Sequence, residues 1–61
     1  MTAREVIKRL ESEGWYLDRT VGDHRQFKHP GKPGLVTVSG QLGSDVHKGT
    51  LGNLKRQAGW K

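Results

Sequence analysis

Cysteine is absent from this chain, so no disulfide, thiolate metal site or thiol redox chemistry is available to it. No apolar run approaches the roughly 20 residues that a membrane helix needs. The first ten residues carry Arg4, Lys8 and Arg9 without the apolar stretch of a secretion signal. Acidic residues are also scarce: six Asp and Glu stand against eleven Lys and Arg, a formal charge of +5. Such a surplus on 61 residues suits a polyanionic partner, with nucleic acid ahead of an anionic membrane surface. These features together predict a soluble, cytoplasmic protein. At 61 residues the chain is expected to form a single domain, residues 1–61, with a thin core.

The apolar residues are few but grouped. Residues 2 to 13 read as a helix: Thr2 and Glu5 form a T-x-x-E capping box, and Ala3, Val6, Ile7 and Leu10 share one face. Gly14 is placed to end it in a left-handed conformation. Three short strands follow. Trp15 to Thr20 alternates, with Trp15 and Leu17 inward and Tyr16, Asp18 and Thr20 outward. His24 to His29 has Phe27 inward and His24, Gln26 and Lys28 on the other face. Leu35 to Ser39 has Val36 and Val38 inward, after a turn over residues 30–34 whose prolines exclude regular pairing. Short connections imply an antiparallel meander. After a polar loop over residues 40–49, Thr50 is placed to cap a last helix that carries Leu51, Leu54 and Ala58 on one face. Gly59 would close it, with Trp60 folding back onto Leu54.

The predicted class is therefore α+β: an α-β-β-β-α order, with a three-stranded antiparallel sheet and both helices on one face. That is the order of the double-stranded-RNA-binding fold. The expected core is Val6, Ile7, Leu10, Trp15, Leu17, Phe27, Val36, Val38, Leu51 and Leu54. The other sheet face would carry His24, Gln26, Lys28, Tyr16 and Thr37 and stay open.

The residues themselves go further than this order. Glu13-Gly14-Trp15, Arg19, Gly22-Asp23-His24-Arg25-Gln26-Phe27, His29-Pro30, Val36-Thr37-Val38, Gly49-Thr50-Leu51 and Gln57-Ala58-Gly59 resemble the HicA mRNA-interferase toxins from end to end. In that family a glycine, usually a serine, and the catalytic histidine open the second strand. A phenylalanine follows three residues later, and a His-Pro step ends the strand. The resemblance implies a toxin of a type II toxin-antitoxin system, an endoribonuclease that cleaves mRNA and inhibits translation and growth. It implies His24 as the catalytic residue and a HicB antitoxin, in a toxin-antitoxin complex, as the partner that blocks the site. Asp23 stands where the family more often has serine; an acidic neighbour can orient the ring of His24 but also opposes phosphate.

Metal-free RNA cleavage needs a base for the 2′-hydroxyl proton, an acid for the departing 5′-oxygen and cations for the phosphorane. Histidine suits either proton-transfer role near neutrality. His24 is accordingly expected as general base or acid, with Lys28 and Arg25 as phosphate ligands and Arg19 near them. Lys32, Lys48, Lys55 and Arg56 read as general attraction for RNA phosphates. No cofactor is implied. The carboxylates do not converge as a two-metal nuclease requires, and His24, His29 and His47 lack a zinc-ligand spacing, so no metal site is expected. His29 and His47 read as a strand-end residue and an exposed loop residue. Two other functions fit the charge: a non-catalytic double-stranded-RNA-binding module, and an interaction domain for an acidic protein. A module of the first kind places lysines at the start of its last helix, where this chain has only Lys48.

Overall fold

A computed structural model describes residues 1–60. It runs α1 (Ala3–Ser12), β1 (Tyr16–Val21), β2 (His24–His29), β3 (Lys32–Ser39) and α2 (Lys48–Ala58). The strands form one antiparallel sheet in the order β1-β2-β3, as expected from the short connections. Among the described residues no helix is long and apolar enough to cross a membrane.

Helix α1 forms because its first amides are satisfied from two directions. Thr2 Oγ1 accepts from the Glu5 amide, and the Glu5 carboxylate accepts from the Thr2 amide at 2.8 Å. The next free donors, Ala3 and Arg4 N–H, are bonded by the carbonyls of Ser44 and Leu42. The loop after β3 therefore caps a helix at the other end of the chain. Its Val46 also packs against the core, which the polar look of that loop did not suggest. The helix ends at Gly14, whose φ of +96° suits only glycine at low cost.

Both helices lie on one face of the sheet. Val6 and Leu10 from α1, Leu54 and Ala58 from α2, and Phe27, Val36 and Val38 from the sheet are all fully buried in a single cluster with Ala3, Trp15 and Trp60. The end of α2 closes as a Schellman turn: Gly59 is left-handed, its amide reaches the Arg56 carbonyl, and the Trp60 amide reaches the Lys55 carbonyl at 2.7 Å. This brings Trp60 back against the core.

Four expectations are corrected. Leu17 is half exposed, not core. It pairs with Phe27 on the inner side, but β1 is an edge strand that the helices, packed mainly over β3, leave uncovered. Thr20 does not share the open face. The register slips between Leu17 and Arg19, so Asp18 is an extra residue, Arg19 pairs with Gln26 and Thr20 pairs with Arg25. Strand β3 begins at Lys32 rather than Leu35, because Pro33 lies on an outer strand, where a missing N–H facing away from the sheet costs no ladder bond. A second slip in β3, around the left-handed Gly34, absorbs the surplus residues there. Finally, α2 starts at Lys48 with His47 before it and no side-chain cap; Thr50 is inside the helix.

Candidate active site

Strand alternation decides which residues can act together. Phe27 points into the core, so Arg25 and His29 share its side, while His24, Gln26 and Lys28 project from the open face. Across β1, the bulge at Asp18 turns Arg19 to that open face, opposite Gln26, between Tyr16 opposite Lys28 and Val21 opposite His24. Without the bulge, Arg19 would follow Trp15 and Leu17 inward.

His24 opens β2 directly after a two-residue turn, Gly22-Asp23. Gly22 has φ +60° and no other turn residue has positive φ, the pattern of a type II′ hairpin turn with glycine first. The turn is pinned from the far side of β2: the Gly40 amide donates to the Asp23 carbonyl at 3.2 Å, and the Arg25 guanidinium donates to the Gly40 carbonyl at 3.1 Å. The backbone that carries His24 is thus held at both neighbouring residues. The imidazole itself is 55% exposed, with Nε2 3.4 Å from Asp23 Oδ1. A proton on Nε2 then faces the carboxylate and leaves Nδ1 as the basic nitrogen.

Arg19 and Lys28 are not free cations. Asp18 Oδ2 lies 3.4 Å from Arg19 Nε, and Asp18 Oδ1 lies 3.8 Å from Lys28 Nζ, so one carboxylate draws both toward the middle of the face. Arg19 stands diagonal to His24, at a spacing of about 7–8 Å for such neighbours. Lys28 is four residues along the same strand, roughly 13 Å away.

The expected ligands therefore divide. His24, Arg19 and Lys28 share one surface. Arg25 is on the helix side, committed to Gly40, and Lys48 is the first residue of α2, in the helix layer behind the sheet. Arg25 lies two residues from Phe27, and that even offset is a readable signal for its placement on the helix side. Among the described residues no three His, Cys, Asp or Glu side chains gather as metal ligands would.

His29, at the other end of β2, is built in. Its Nδ1 accepts from the Gly31 amide at 2.9 Å, and its Nε2 lies 2.9 Å from the Glu13 carbonyl. An amide only donates and a carbonyl only accepts, so the ring is the neutral tautomer with its proton on Nε2. It stands edge-on to the buried Trp15, with ring centroids 5.3 Å apart. Gly14 leaves room for it, since a Cβ there would come 2.9 Å from His29 Nε2. Glu13 completes this corner: its carboxylate accepts from Trp60 Nε1 at 2.5 Å and pairs with Arg9, whose guanidinium lies over the Trp60 ring. The Trp60 hydrogen bond above all holds the Glu13 carboxyl below its ordinary value; burial, next in size, opposes it, and Arg9 adds to the lowering.

A family model described as the HicA toxin of bacterial toxin-antitoxin systems matches residues 3–60. No curated protein matches the chain.

Proposed function

This chain belongs to the HicA family of toxins from bacterial toxin-antitoxin systems, and on that premise we propose that it is a metal-independent endoribonuclease acting through His24. Membership brings with it a toxin role and an antitoxin partner. The finer reading rests on one observation: His24 is an exposed imidazole, on a braced hairpin, facing the same open surface as Arg19 and Lys28.

RNA laid on that surface meets a base and two cations. Nδ1 of His24 takes the proton of a 2′-hydroxyl, and the 2′-oxygen attacks the adjacent phosphorus in line with the 5′-oxygen. The P–O5′ bond breaks, and the departing oxygen takes a proton from the imidazolium just formed. The products are a 2′,3′-cyclic phosphate and a 5′-hydroxyl end. Arg19 is the nearer cation for the charge that builds on the phosphorane, and Lys28 holds a neighbouring phosphate. Arg25 and Lys48, set behind the sheet, add general attraction for the RNA backbone. We further propose mRNA as the substrate and a HicB antitoxin as the protein that covers this face.

The test is a labelled RNA incubated in EDTA with the protein and with its His24→Ala variant. Cleavage by the first and none by the folded second is expected. RNA binding by both with cleavage by neither would replace the enzyme with a non-catalytic RNA-binding module.

A further inference from the structure

We propose that Tyr16 is a stacking platform for an unpaired base, so that the open sheet face takes single-stranded rather than duplex RNA. The inference rests on the RNA-cleaving reading above and adds to it how the strand lies. Tyr16 is half exposed at 50%, and the register sets it directly opposite Lys28 on the face that carries His24. An exposed tyrosine on an edge strand is ordinary by itself, because tyrosine favours strands. Its surroundings are what distinguish it.

Along the open face the cross-strand pairs run Tyr16 with Lys28, then Arg19 with Gln26, then Val21 with His24. Aromatic ring, cations and imidazole therefore follow one another in a line. Asp18 keeps that line in order by engaging Lys28 and Arg19 together, between the ring and the imidazole. A strand of RNA lying along β2 with a base on Tyr16 places its backbone over Lys28 and Arg19 and a later ribose-phosphate at His24. Base stacking on a protein ring requires a base whose face is free, and a duplex does not offer one. The paired cation beside an exposed ring is also the pairing of backbone contact with stacking that single-strand binders use.

The probe is a short fluorescein-labelled RNA of mixed sequence, single-stranded or annealed to its complement. Its binding is followed by anisotropy on a His24→Ala background, which prevents cutting. Tyr16→Ala is expected to weaken single-strand binding roughly ten- to a hundredfold, the range for losing one stacked base. Tyr16→Phe keeps the ring and should bind like the parent, and the duplex should bind more weakly than the single strand. With His24 intact, Tyr16→Ala should raise KM and leave kcat nearly unchanged. Circular dichroism melts check that each variant is folded.

Equal binding by the alanine variant, an equal loss in the phenylalanine variant, or a duplex bound as tightly as the single strand would each overturn the proposal. Its fate is separable from that of the nuclease reading. If the parent protein cuts nothing in EDTA but alanine at position 16 still abolishes single-strand binding, stacking stands and catalysis falls. If the protein cuts through His24 and the alanine variant binds normally, stacking alone falls.

Discussion

His24 and His29 stand at the two ends of one six-residue strand, on opposite faces, and are used in opposite ways. His29 has a hydrogen-bond partner at each ring nitrogen, one fixed tautomer and a buried tryptophan against its edge. His24 is exposed, and its ring makes a loose contact with Asp23 at 3.4 Å. A general base must be reachable and able to exchange its proton, whereas a structural histidine is most useful where it can do neither. The same residue type thus separates into a reactive group and a fastener according to strand parity and to what surrounds each ring.

Substitution at the two positions breaks the comparison most sharply. His24→Ala is expected to lower RNA cleavage by at least about a hundredfold, with the melting temperature unchanged. His29→Ala leaves cleavage per folded molecule intact but strands the Gly31 amide and the Glu13 carbonyl. Its cost is about 2 kcal/mol, a fall of roughly 10 °C in Tm for a chain of this size. Thermal melts beside an RNA assay measure both. Gly14→Ala sharpens the His29 half of the contrast. It forces a left-handed φ on alanine and a Cβ against the ring, for a loss of roughly 1–2 kcal/mol. On a His29→Ala background the part of that loss due to the ring should vanish in a double-mutant cycle.

Smaller effects separate the two faces through their arginines. Arg19→Ala should reduce the salt dependence of RNA binding by a slope of about one and weaken binding several-fold. Arg25→Ala should change that slope much less than Arg19→Ala does and instead lower stability by about 1 kcal/mol, through the lost bond to Gly40. The smallest effect lies at the Glu13 corner. A carboxyl held below its ordinary value stabilises the fold fully above the ordinary carboxylate range, and that contribution is lost as pH falls through the depressed value. Acid titration of Tm should therefore show a steeper acid limb for the parent than for Glu13→Gln.

Much of this architecture is legible in the residues because local chemistry and long-range contacts agree. The capping box at Thr2, the glycines at 14 and 59, the inward Phe27 and the two short turns each announce themselves within a few positions. The misread places are those where a neighbour distant in sequence decides. Nothing local marks Asp18 as the extra residue that turns Arg19 outward; the register with β2 does. Leu17 reads as core by alternation, but burial depends on whether a helix reaches the edge strand, and here neither does. Pro33 is harmless because its strand is an outer one, which only the sheet order reveals. At the site, motif and charge single out His24, Arg19 and Lys28, and strand register sets the three on one surface, Arg19 only through the bulge at Asp18. Proximity in sequence misplaces Arg25, since adjacent strand residues point to opposite faces. The fixed tautomer of His29 needs Glu13 and Gly31, brought together by the turn after β2 and the end of α1.

The chemistry assigned to the open face is tested most directly by the ends of the cut RNA. Products made by the protein in EDTA should carry a 5′-hydroxyl and a 2′,3′-cyclic phosphate, and neither should form with His24→Ala. Products bearing a 5′-phosphate, or the same products from both proteins, would contradict proton transfer by this imidazole.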